Sequence, residues 1–165
     1  SADAVLLSDY DKGFLTPEFI RMVVAICELR KIPCIADVKR APEVYKGALL
    51  KGNDDWWKRC PVGVQADSGV ITQGKYLPIV WQSRKMCLPG PCLPAVDCVN
   101  HVGAGDCFAA HLTLALAYRF SLKDSAAIAH SSGRVYVQHT HGLPPTPDQI
   151  AADLARADVI STSTP

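Results

Sequence analysis

The sequence predicts an α/β fold: three layers, with a mostly parallel sheet covered by helices on both faces. Three observations lead there. Ala4 to Leu7 is a short apolar run of the kind a buried strand makes. A helical stretch follows it, and Ile32 to Ala36 is a second apolar run. Strand, helix and strand in that order form a βαβ unit, whose strands lie parallel. Late in the chain, two long helical stretches flank Arg119 to Ser121 and supply the cover for the other face.

Each element has a local reason. Ser8 to Gly13 is a polar turn. Thr16 is placed to cap a helix, with Pro17 at its first position and Glu18 in its first turn. That helix runs to about Lys31, with Phe19, Val23, Ile26, Cys27 and Leu29 as an apolar face. Pro42 to Lys46 is a short helix or turn, and Ala48 to Leu50 a third strand ending at Lys51-Gly52-Asn53. Asp54 to Gln65 has poor periodicity. Gly69 to Thr72 and Ile79 to Trp81 form a hairpin around Gly74 to Pro78. Lys85 to Pro94 is rich in proline and is extended or edge-like. Ala95 to Val99 is another strand candidate. Helices are expected from Ala104 to Tyr118, from Leu122 to Gln138 with Asp124 or Ser125 as cap, and from Pro147 to Arg156, with a frayed tail from Ile160.

Composition narrows the function. At 165 residues and 48% hydrophobic, residues 1–165 are expected to form one domain around one core. The net charge of +1 lacks the basic excess of a nucleic-acid binder. The longest apolar runs, Val23 to Cys27 and Phe108 to Ala117, fall short of the roughly 20 residues that span a bilayer. No charged-then-apolar leader is visible, so no secretory signal is expected. The seven cysteines are an odd count scattered through apolar segments, which argues against a disulfide framework and for a reducing, cytoplasmic setting. Cys87, Cys92 and Cys98 could be read as metal ligands, but their Pro, Leu and Val neighbours favour buried thiols acting as small hydrophobes. Trp56, Trp57 and Trp81 read as packing or interface residues, and His111 and His130 as core or surface residues on helices.

The chemistry concentrates at Gly103-Ala104-Gly105-Asp106. Small residues that open a helix let its backbone approach a ligand. The N–H groups of the first turn then face an anion, aided by the helix dipole. A carboxylate repels a phosphate there, so Asp106 makes sense as a base that takes a proton from an attacking hydroxyl. The plainer reading keeps Asp106 as a helix cap beside a glycine turn.

Val99 to Ala110, containing Gly103-Ala104-Gly105-Asp106, resembles the signature of the ribokinase-like (PfkB) carbohydrate kinases, D-T-x-G-A-G-D followed by a small-residue helix. Ser8-Asp9-Tyr10-Asp11-Lys12-Gly13 is similar to the S-D-Y-x-K-G segment of the heptose-phosphate kinase branch. Asp37-Val38-Lys39, Tyr45-Lys46-Gly47-Ala48 and Lys51-Gly52-Asn53 resemble that branch's further segments in the same order. Val70 to Lys75 looks like the family's T-x-G-x-x-G strand and turn, and Gly142 sits where the family places a late glycine.

The resemblance implies ATP-dependent phosphoryl transfer to a hydroxyl of a sugar or sugar phosphate, with heptose phosphate the specific expectation. Asp106 would be the base, and Gly103, Ala104 and Gly105 the anion hole. Asn53 would lie near the Mg²⁺-phosphate network, while Thr72, Gly74 and Gly142 would approach the nucleotide. Asp9 and Lys12 would face the sugar phosphate. Mg²⁺ would arrive with ATP, held mainly by phosphate and water.

Several departures qualify this. Trp56 stands where the family has the glutamate of N-x-x-E, and Asp54 or Asp55 would have to replace it. His101 stands where Thr or Ser is usual, and the stretch from Asn53 to Thr72 is short by at least one helix. The family's N-terminal part is missing, so the chain reads as a C-terminal portion of the fold. An open sheet edge would then pair with a second copy or with the missing half. A second function therefore stays open: a non-catalytic remnant that binds nucleotide or pairs with another subunit.

Overall fold

The computed structural model describes residues 2–60, 67–83, 85–90, 93–140 and 142–162, with side chains to residue 156. Six strands form one sheet: β1 (Val5–Ser8), β2 (Cys34–Asp37), β3 (Leu49–Asn53), β4 (Ser68–Gln73), β5 (Tyr76–Gln82) and β6 (Lys85–Cys87), in that spatial order. β1 through β4 pair in parallel, and β5 and β6 are antiparallel additions. Alternation along each strand divides the core in two. Leu7, Ala36, Leu50, Ile71 and Trp81 join the layer containing α1 (Pro17–Arg30) and α2 (Asp54–Arg59). Ile35, Val70 and Val80 join the layer made by α3 (Ala104–Ala117) and α4 (Leu122–Tyr136). The three-layer α/β expectation is thus met.

The start of α1 follows its capping signal. The Phe19 N–H donates to Thr16 Oγ1 at 3.2 Å, and Lys31 ends the helix in the left-handed conformation at φ 55°. Ile20, Val24 and Cys27 face the sheet. On one flank Glu28 lies against Gly47; on the other, Phe19, Met22 and Ile26 remain exposed.

Some boundaries move for identifiable reasons. β3 runs on through Lys51 and Gly52, both buried, because Asp37 neutralises the lysine. The hairpin turn tightens to Gly74 and Lys75, and Pro78 enters β5 beside a register irregularity that relieves its missing N–H. Ala95 to Val99 is not a strand. The N–H groups of Val99 and Asn100 both donate to Val137 O, which ties the segment to the end of α4. Ser121, not Asp124 or Ser125, caps α4, accepting from the Asp124 N–H. Asp54 to Arg59 forms α2, capped by Asn53, although its sequence periodicity is poor; residues 61–66 lie outside the described residues. Trp56 and Trp81 pack in the core, as their packing reading has it.

A last helix, α5 (Pro147–Thr162), is fastened to α4 by charge. Arg134 Nε donates to Asp153 Oδ2 at 3.0 Å, Ser131 Oγ donates to the same oxygen at 2.8 Å, and Arg134 Nη1 reaches Pro94 O. Both ion-pair partners are buried. Removing one partner of such a pair strands the other without solvent, at roughly 3–5 kcal/mol. Asp153→Ala should therefore lower the unfolding free energy by about that amount in urea titration. A loss below about 1 kcal/mol, typical of an exposed pair, would show that the clasp is not buried in solution.

Candidate functional site

The strand ends meet the start of α3 at one rim of the sheet. Gly103 opens α3 at φ +86°, a conformation that strains any side chain. A Cβ there would lie 2.5 Å from the Tyr136 hydroxyl, and one on Gly142, at φ +60°, would lie 2.9 Å from it. That hydroxyl donates to Val102 O at 2.9 Å. One phenol thus holds two glycine turns, and the smallness of both residues is what admits it. Ala104 N–H bonds back to His101 O and Cys107 N–H to Gly103 O, so the N–H groups of Gly105 and Asp106 lie in the first turn, where the helix offers no carbonyl.

Asp106 is exposed at this turn. The Tyr10 hydroxyl donates to its Oδ1 at 2.7 Å, and that bond raises the phenol pKa above the usual tyrosine value. Tyr10 belongs to the turn that follows β1, and Asp9 explains how the turn is held. Asp9 is 3% exposed; its carboxylate accepts from Tyr45 Oη at 2.7 Å, from Asp11 N–H at 2.8 Å and from Arg40 Nε at 2.9 Å. Burial pushes this carboxyl up, but the donors from Tyr45, Asp11 and Arg40 outweigh it and hold it below the usual range. The Asp9 oxygens are thus engaged by donors of the protein itself. Lys12, from the same turn, is exposed.

Beneath the glycine turn lies a residue the motif reading did not select. Lys51 is 4% exposed; its Nζ donates to Asp37 Oδ2 at 3.0 Å and to Gly105 O at 3.1 Å. Burial lowers its pKa below the usual lysine range, and Asp37 works against that shift. A lysine in an otherwise apolar parallel strand was the available sequence signal.

Beside the turn is a cavity of about 270 Å³, near the low end of the roughly 300–1,000 Å³ usual for small-molecule sites. The end of β4 lines it with Thr72, the turn that follows with Gly74, α3 with Ala104 and Gly105, and α4 with His130 and Gly133. Thr72 also donates to Gly52 O and is paired with Asn53 across β3 and β4. Asn53 has its side-chain oxygen accepting from the Trp56 N–H at 2.8 Å. Gly142 lies against Tyr136, and His141 and Cys92 lie outside the described residues.

The position of the expected glutamate is filled by core. Trp56 is buried and its indole N–H donates to Arg40 O at 2.8 Å. Asp54 and Asp55 sit within 3.6 and 3.9 Å of Lys58 on the exposed side of α2. Among the described residues no group of three or more His, Cys, Asp or Glu could hold a metal ion. Cys87 and Cys98 are exposed, on an edge strand and in the loop before α3, and so are not the buried thiols expected from their apolar neighbours. No helix of the described residues is long and apolar enough to cross a membrane.

Residues 63–149, just over half of the chain, match the pfkB family of carbohydrate kinases. A bifunctional protein HldE from Nitratiruptor sp. is 28% identical over 90% of this chain, and one from Caulobacter vibrioides is 32% identical over 83%. The chain spans 35% and 32% of those two relatives' lengths. Among solved structures, Arabidopsis thaliana ribokinase, crystallised with ribose and ATP, superposes with a TM-score of 0.76 at 18% identity, over 93% of this chain and 56% of that one. Phosphofructokinase-2 from Escherichia coli gives 0.75 at 17%, over 94% and 57%. These structural likenesses establish the ribokinase fold.

His130 gives the cavity a pH signature. Burial, with Arg134 nearby, pulls its pKa down to about 4 from an unfolded value near 6.5. The unfolded state then takes up the proton more readily. The stability is fully present above pH 6.5 and is lost as the pH falls toward 4, by roughly 3 kcal/mol at most. Urea titrations at pH 7.5, 6.0 and 5.0 should show this decline, and His130→Asn should flatten it. An equal decline in both proteins would remove His130 as its source.

Proposed function

The chain belongs to the pfkB family of carbohydrate kinases, and on that premise we propose that residues 1–165 form one nucleotide-binding and catalytic unit of an ATP-dependent sugar kinase. One observation carries the reading. A hydroxyl oxygen already lies 2.7 Å from the exposed Asp106 carboxylate, at the start of a helix opened by a left-handed glycine. It belongs to Tyr10, and an acceptor hydroxyl bound there would take up the same geometry.

In this reading Asp106 removes the proton of the acceptor hydroxyl while its oxygen attacks the γ-phosphoryl group in line. The first-turn N–H groups of α3 stabilise the negative charge that spreads over the transferring oxygens. Gly103, Ala104 and Gly105 leave room for that group because they carry no long side chain. The cavity beside Thr72, Gly74 and His130 takes the adenosine part, close enough to the turn for one molecule to reach both. Asn53, at the adjoining strand end, faces the phosphates. Mg²⁺, bound to the phosphates, would supply charge neutralisation. Lys12 is the exposed cation of the β1 turn and the candidate for a phosphate on the sugar. The HldE relatives make a heptose phosphate the acceptor to try first.

A second reading has its own support: Trp56 replaces the family glutamate. The chain would then bind nucleotide without turning it over. Calorimetry with ATP and Mg²⁺, followed by a coupled ADP-release assay with heptose phosphate, separates the two. The kinase reading expects binding and turnover, with Asp106→Asn losing about 10²–10⁴ in rate at ATP affinity within a few-fold. Binding with no turnover selects the second reading. Full turnover by Asp106→Asn would reject the base assignment, and no binding would reject both readings.

A further inference from the structure

We infer that Lys51 is a positioning residue for the phosphoryl group, acting through the Gly105–Asp106 peptide from beneath the helix start. The inference rests on the kinase reading above and deepens it.

The geometry is specific. A peptide unit is planar, so the Gly105 carbonyl and the Asp106 N–H point in opposite directions from one rigid plate. Lys51 Nζ holds the carbonyl end at 3.1 Å. Fixing that end also fixes the opposite one, the Asp106 N–H, which points away from the Lys51 amine in the first turn of α3. A Cβ added to Gly105 would lie 3.4 Å from Nζ, so the amine fits closely under the turn. The ammonium group has three donors, of which Asp37 and Gly105 take two. Its charge also matters. Asp37 and Lys51 are both buried, and the field of an ammonium so placed is little screened by water. Asp37 cancels that charge for a distant ion, but an anion at the turn lies on the Lys51 side of the pair, because Gly105 O does.

A purely structural ion pair would hold β2 to β3 and do nothing more. The two roles separate on charge. Removing both charges together, as in Asp37→Leu/Lys51→Met, spares the fold the stranded carboxylate that Lys51→Met alone would leave. Thermal unfolding and calorimetric titration with ATP·Mg and with AMP, on the full chain, form the test. AMP reaches the cavity without the phosphates that meet the turn. We expect the double variant to unfold within a few degrees of the unmodified protein. Its AMP affinity should be unchanged and its ATP affinity reduced about tenfold. Lys51→Gln, which keeps a donor of similar reach and loses the charge, should lie between the two and serves alone if the double variant does not fold. An unaltered ratio of ATP to AMP affinity in whichever variant folds would overturn the inference and leave Lys51 as a structural cation. Failure of the unmodified chain to bind either nucleotide would instead overturn the kinase reading, and this inference with it.

Discussion

A buried ammonium joins the sheet of this protein to the start of its most important helix. Lys51 lies on β3, bonded to Asp37 of β2 and to Gly105 of α3. An unpaired charge in that position would cost several kcal/mol, so Asp37 and the Gly105 carbonyl are what let a charged lysine stand in the strand. The same contact sets the height of the glycine turn above the sheet. The turn after β1 completes the rim by a separate route, through Asp9, Arg40 and Tyr45, which present Tyr10 to Asp106.

Much of this was legible in the residues. The cap at Thr16, the parallel order of the first strands, and the helix opened by Gly103 are local or periodic signals, and local chemistry decides them. The family was legible for a related reason: its segments recur in order along the chain. Long-range consequences were harder to see. Ala95 to Val99 has a strand's composition, but its N–H groups bond to Val137 at the end of α4, a partner that no window of sequence contains. Asp9 looks like a solvated turn residue until Arg40 and Tyr45 arrive from 31 and 36 residues away. Tyr136 could be recognised as the shared support of Gly103 and Gly142 only once all three were brought together.

The fold also accounts for how this chain tolerates its departures from the family pattern. Replacing an acidic residue by Trp56 would be damaging if that position faced the rim. Here the indole fills space over Gly52, whose added Cβ would meet the ring at 2.4 Å, and it closes the core beneath α2. The substitution exchanges a polar group at the site for packing under it.

The strand order has a consequence for synthesis. Every strand of this sheet lies beside the strands that precede and follow it in the chain, so the sheet can be extended one neighbour at a time as residues leave the ribosome. One face receives its cover along the way, from α1 and α2. Among the described residues the opposite face, with Ile35, Val70 and Val80, is covered by α3 and α4, which follow the six strands in the chain. A nascent chain stalled before residue 104 would therefore hold a half-clad sheet, the kind of surface that holdase chaperones retain.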